Sequence, residues 1–287
     1  MTVLPLFCLS TLLVLGGPAA WARQGYSQGQ ENPPKPPAEP AKPGQTAPAQ
    51  PGTAAPPPVN AEEEAAYKAF FETKASDIQQ QIQLGEEFLK KFPESRYREG
   101  VFARLTAAYL SVGQEDRMFA AGEKTLEIDP NNVDVLSLMA LVMPRRVNPN
   151  SLDADQKLQK SEKYSKQAIA LLAAMPKPAE LSEADFAKAK NEKLSMCHSG
   201  LGFVYYHRQR YSDSAAELEQ ATQLAAVPDP ADFYVLGLGY QQTKRFGDAA
   251  TAFGHCGEAS GPLQPRCKQS MEQAKKLAAL EPAPPKQ

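Results

Sequence analysis

The chain has 287 residues, 26 of them proline, and carries 31 Lys and Arg against 33 Asp and Glu. A net charge of −2 excludes the strong basic excess that marks a nucleic-acid surface. Three histidines and four cysteines leave little material for a metal or cofactor centre, and no cofactor is implied.

Residues 3–17 are almost wholly apolar and are followed by Ala20-Trp21-Ala22. A run of about 15 is short for a membrane span, which needs roughly 20. An apolar run ending in small-x-small reads as a secretory signal, 1–22, cleaved after Ala22. The mature protein is then exported, periplasmic or secreted, with no membrane insertion. No Lys or Arg precedes the run, so an uncleaved inner-membrane anchor is the alternative. Cys8 lies inside the apolar run, too early for a lipid-attachment cysteine. Residues 23–60 follow; Asn32 to Val59 holds eleven prolines and no large apolar side chain before Val59. Such a stretch cannot bury enough apolar surface to offset its ordering entropy, so a disordered, extended linker is expected.

Residues 61–280 read as helices throughout, and 281–287 as a disordered tail. The first pair, about 62–95, is acidic at Glu62-Glu63-Glu64 and ends in Leu84-Gly85-Glu86-Glu87-Phe88-Leu89-Lys90-Lys91-Phe92-Pro93. The next, about 99–132, has Phe102, Leu105 and Tyr109 on its first helix and Gly113 in its turn. Asp129-Pro130 closes it, because the residue before proline avoids helical geometry. A third unit, 133–175, pairs Val133–Met143 with a helix from about Ala154 to Ala174. Ser182-x-x-Asp185 is a helix-start signal for a long helix, about 183–208. Units 195–228 and 230–257 share one pattern. Leu201-Gly202-x-x-Tyr205 precedes Tyr211, Ala215, Leu218 and Ala221; Leu236-Gly237-x-x-Tyr240 precedes Phe246, Ala249, Phe253 and Cys256. The two leucines lie 35 residues apart. A capping helix, 264–280, follows, with Met271, Leu277 and Leu280 among charged residues.

A period near 34 with Leu-Gly-x-x-Tyr and a following small residue resembles the tetratricopeptide (TPR) repeat. The first unit resembles repeats of exported bacterial cell-envelope TPR proteins. The resemblance implies an all-α helix-turn-helix solenoid and a non-catalytic scaffold that binds a protein or peptide in a concave groove. By position, the groove would present Met196, Ser199, Phe203, Tyr206 and His207, then Tyr234, Leu238, Gln241 and Gln242. The Lys and Asn of the family's carboxylate clamp are absent there. The segment from Pro144 to Ser151 stands where the family has a tight turn. As an insertion loop it offers Arg145 and Arg146 to an acidic partner, or leaves them as solvated charges.

The sequence shows no Gly-x-Ser-x-Gly, His-Glu-x-x-His or phosphate loop, so no catalytic residue is assigned. Cys197-His198 and His255-Cys256 lack zinc-ligand spacing, since adjacent helical residues point about 100° apart. Cys256 ends one helix and Cys267 opens the next. They form either a disulfide, which an exported compartment permits, or two buried thiols. Two other roles stay open: a self-assembling structural subunit, or the binding module of a thiol-redox or metal system using Cys197, Cys256 and Cys267.

Overall fold

The computed structural model describes residues 60–74 and 76–280; the expected signal, the Pro-rich linker up to residue 59 and the C-terminal tail lie outside them. The described residues are helical, with no strand among them. They fall into two compact units, and the chain passes from one to the other between Gly100 and Val101.

The first unit holds α1 (Ala61–Glu72), α2 (Ile78–Lys91) and the opening residues of α3 (Arg98–Ser111). Asn60 starts α1 by accepting from the backbone N–H of Glu62 and Glu63 at 3.1 and 3.4 Å. The three glutamates that follow suit a helix N-terminus, where negative charge offsets the helix dipole. Each also has a specific partner. Glu62 pairs with Lys91, Ser95 Oγ donates to Glu63 at 2.5 Å, and Arg96 and Tyr97 both bond Glu64. The Tyr97 hydroxyl, with Arg96, holds the Glu64 carboxyl below its usual range. Tyr67 stacks on Tyr97 with centroids 4.1 Å apart, and Phe88 is buried beside Tyr67.

The second unit runs from the body of α3 through α4 (Glu115–Ile128), α5 (Val133–Arg145), α6 (Ala154–Ala174), α7 (Glu183–His207), α8 (Tyr211–Leu224), α9 (Pro230–Gln242), α10 (Phe246–Glu258) and α11 (Gln264–Leu280). α5 packs on α6 and α7, α7 on α8 and α9, α9 on α10, and α10 on α11. Side-chain caps start the first helices: Asn132 accepts from Val135 N, Ser182 from Asp185 N and Asp229 from Ala231 N.

One turn geometry recurs in three hairpins. Gly113, Gln209 and Lys244 each lie four residues after a tyrosine (Tyr109, Tyr205, Tyr240) and each has positive φ, 72°, 58° and 60°. The next residue's N–H donates back to that tyrosine's carbonyl at 2.9, 2.9 and 2.8 Å. This is a Schellman closure, in which a left-handed residue lets the last carbonyls of the helix find donors. An arginine just past the turn then lies over the same ring: Arg117 on Tyr109 at 4.3 Å, Arg210 on Tyr205 and Arg245 on Tyr240 at 4.2 Å. Between the helices of a pair, large meets small. A Cβ on Gly202 would lie 2.5 Å from Leu218, and one on Gly237 2.6 Å from fully buried Phe253.

The sequence places Pro144 and Arg145 in a loop, but α5 continues through both, and the connection to α6 spans 146–153. A proline inside a helix removes the hydrogen bond to the carbonyl four residues back and crowds it. Here that carbonyl, Ala140 O, accepts from Ser161 Oγ of α6 at 3.0 Å. Gly200 of α7 leaves it room, since a Cβ there would lie 2.4 Å from the same oxygen. The lost donor is replaced from another helix, so the helix does not end at Pro144. Cys256 of α10 and Cys267 of α11 form a disulfide with Cα atoms 5.7 Å apart, both residues fully buried.

A non-glycine left-handed residue costs about 1 kcal/mol relative to glycine. Gln209→Gly and Lys244→Gly are therefore each expected to stabilise the protein by about 0.5–1 kcal/mol in urea unfolding. Gly237→Ala is expected to destabilise it by about 1–3 kcal/mol through overpacking against Phe253.

Candidate functional site

The first helices α5, α7 and α9 converge on Arg145. As the last residue of α5, it projects its guanidinium onto the other two helices. Nη1 donates to Asp229 Oδ2 at 2.6 Å, and Nη2 to Asp232 Oδ1 at 2.6 Å and Ser199 Oγ at 2.8 Å. Ser199 Oγ in turn donates to Asp232 Oδ1 at 2.7 Å. The guanidinium also covers the Phe203 ring at 4.6 Å. The Arg145 and Asp232 side chains are 17% and 5% exposed. Arg145 Nε is buried without a hydrogen-bond partner.

Burial works against charge on both residues, with opposite net results. For Arg145, Asp232 and Asp229 outweigh it and raise the pKa. For Asp232, burial outweighs Arg145 and pushes the carboxyl up to about 6, with Asp229 adding to the rise. Burial of Asp232 is the largest cause, and partly exposed Asp229 adds a second carboxylate at the same cation. One residue from Arg145, the Pro144 carbonyl accepts from His207 Nε2 at 2.9 Å, which places the ring proton on that nitrogen. Burial holds His207 below its usual pKa, the Pro144 bond opposing.

The structure brings several of the expected groove residues together beside this cluster. Phe203 lies beneath Arg145, and His207 grips Pro144. Half-buried Tyr206 meets Tyr211 edge-on at 5.5 Å. Burial raises the Tyr206 hydroxyl's pKa, with Tyr211 and Tyr234 contributing as near neighbours. Tyr234 is 8% exposed, with Phe253 at 5.7 Å and the Arg266 guanidinium over its ring at 5.5 Å. Met196, Leu238 and Gln241 are half-buried and Gln242 is exposed. Arg145 is thus engaged within the chain, and Arg146 pairs with Glu115 of α4 at 2.7 Å. Asp229 and Asp232 escaped the sequence reading because both occupy the start of α9, where an acid reads as a helix cap or first-turn charge.

Among the described residues no group of three or more His, Cys, Asp or Glu is placed to hold a metal. Cys197 is fully buried with Sγ 3.4 Å from Ser137 Oγ, and burial pushes its thiol up to about 11. A thiol so far from its thiolate form is a poor nucleophile.

No protein-family model matches the chain, and no curated protein matches it. Among solved structures it is similar to a thermophilic TPR protein of Thermus thermophilus, with 17% identity, 76% of this chain and 100% of the other covered, and a TM-score of 0.39. It is also similar to PilW, a widely conserved type IV pilus biogenesis factor, with 15% identity, 79% and 97% covered, and a TM-score of 0.47. A tetratricopeptide repeat protein of Parabacteroides merdae shares 10% identity over 75% of this chain and 100% of its own, with a TM-score of 0.30. These likenesses concern the fold. The repeated turn, the large-on-small contacts and the neighbouring first helices identify it as an all-α fold of TPR-type helical hairpins.

Removing one partner from a buried ion pair costs about 3–5 kcal/mol, because the other charge stays buried. Arg145→Met is therefore expected to destabilise the protein by about that much. Arg146→Met, at a pair that stays partly open to solvent, is expected to cost less, about 1 kcal/mol. Paired urea titrations measure both. Cys197 is expected to resist a thiol-labelling reagent until the chain unfolds.

Proposed function

We propose that the protein is a non-catalytic interaction scaffold whose α7–α9 face receives a peptide or protein segment. One observation carries the reading. Tyr206, Leu238 and Gln241 lie half-open on two neighbouring first helices, and those helices are fixed from behind by buried, bonded side chains. Tyrosine offers a large amphipathic contact with few torsions to freeze, which is why it is enriched where binding energy concentrates. A backing that does not move on binding lowers the ordering cost. Met196, Phe203, His207 and Tyr234 belong to the same face, the buried members shaping it and the half-buried ones touching the ligand. Arg145 acts from beneath as a positioning residue.

We place the protein outside the cytoplasm, in a bacterial cell envelope. The support is the apolar run with Ala20-Trp21-Ala22, together with the Cys256–Cys267 disulfide, a bond that persists in oxidising compartments.

A photo-reactive side chain at Gln242 is expected to crosslink a partner in its native envelope. The same group at Gln220, exposed on the second helix α8, is expected not to. Adding Tyr206→Ala and Leu238→Ala should reduce the crosslink about tenfold or more while the helical spectrum is unchanged. Equal crosslinking from Gln242 and Gln220 would contradict the assignment.

A further inference from the structure

α11 is attached differently from the helices before it. α9 buries Tyr234, Val235, Leu236 and Tyr240, whereas α11, over 17 residues, buries only Cys267 and Ala274. Leu263 and Met271 pack on the same core in part, and Leu280 is 80% exposed. Glycines of α10 let α11 approach closely. A Cβ on Gly257 would lie 3.3 Å from Lys268, and one on Gly254 3.6 Å from Met271. Polar ties between α10 and α11 are few among the described residues. Gln264 donates to the Gly257 carbonyl at 3.1 Å, while Lys275 pairs with Glu272 inside α11 itself. The remaining tie is covalent, between Cys256 and Cys267, 11 residues apart in sequence. A helix with so little large apolar surface to bury gains little by docking alone, and a detached helix of this length is marginal in water.

We propose that α11 is a redox-latched helix. With Cys256 and Cys267 bonded, it closes the end of the α9–α10 hairpin; with both as thiols, it detaches while α5 to α10 stay folded. The latch closes by exchange with a disulfide oxidant. The Cys256–Cys267 bond forms, the oxidant's S–S bond breaks, and the oxidant leaves as two thiols carrying the two electrons and two protons. A dithiol reverses the step and ends as its own disulfide. Both cysteines are fully buried in the closed form, so exchange takes place when α11 lifts, and the new bond then holds the helix down. Closing so short a loop removes freedom from the detached state and favours the docked one on the order of a hundredfold.

α11 also reaches the α7–α9 face. Arg266 lies over the Tyr234 ring at 5.5 Å, so release of α11 uncovers one of the supports of that face. The latch stands on the fold alone; only this consequence rests on the reading of the face as the binding surface.

Amide hydrogen exchange of the full chain, with and without excess dithiothreitol, tests the latch. Thiols counted after denaturation should rise by two on reduction. Protection over Gln264–Leu280 should then fall on the order of a hundredfold while that of α7 is kept. Unchanged protection of α11 in the reduced protein would overturn the proposal. So would an equal loss in α7, which would make the bond a support of the whole unit. If the dithiol does not reach the sulfurs of the native protein, the Cys256→Ala, Cys267→Ala double variant replaces the reduced protein, with the same outcomes. A double variant that does not fold also overturns the latch, because α5 to α10 would then need the bond.

Discussion

The guanidinium of Arg145 ties α5 to α7 and α9, and the placement of the α7–α9 face depends on it. In a helical repeat array each unit touches its neighbours, and alignment passes from unit to unit. The connection between α5 and α6, residues 146–153, is longer than the turns that close the other hairpins, so it constrains its helices less. The constraint is supplied instead by side chains. Ser161 substitutes for the proline's missing donor, Gly200 admits the Ala140 carbonyl, His207 holds the Pro144 carbonyl, and Arg145 reaches past α7 to α9. Each of these contacts needs the others, because α5 must remain helical to its last residue for Arg145 to point inward.

Around that junction, simpler rules repeat. A left-handed residue four positions after a tyrosine ends the first helix, an arginine lies over the same tyrosine, and a glycine admits a large side chain from the second helix. The disulfide fixes α11 against α10 at the end of the run. These local devices set hairpin geometry, whereas the Arg145 cluster sets how one first helix meets the next. A fully satisfied buried polar network specifies one arrangement more sharply than apolar packing does, and a partly satisfied one carries a cost. Here both features are present: a bonded guanidinium with one orphaned nitrogen, and two carboxylates for one cation.

The hairpins were legible in the sequence because their signals are local. Leu201-Gly202-x-x-Tyr205 and Leu236-Gly237-x-x-Tyr240 lie within single helices, Gly113 marks its own turn, and Ser182 its own cap. The turn at Lys244 was not legible, since lysine has no preference for the left-handed region and φ there is imposed by the closure. The Pro144 stretch misled for the same reason. A proline is a sound helix-stop signal when the chain is read locally, and the groups that overrule it lie far along the chain, at Ser161 and His207. Arg145 therefore read as half of an exposed basic pair, and Asp232 as a helix-start charge, although each is the other's buried partner. The places of Phe203, Tyr206 and His207 on α7 and of Tyr234 on α9 were legible by repeat position. Their division into buried supports and half-open contacts was not, because it depends on packing between helices far apart in sequence.

A double-mutant cycle on Arg145→Met and Asp232→Asn measures the central interaction directly, with urea unfolding at neutral pH as the readout. The account predicts that the double variant is destabilised by less than the sum of the single variants, with a coupling energy of about 1.5 kcal/mol or more. Single-variant effects that add within about 0.5 kcal/mol would mean that Arg145 and Asp232 do not act together, and the junction described above would not be what positions the α7–α9 face.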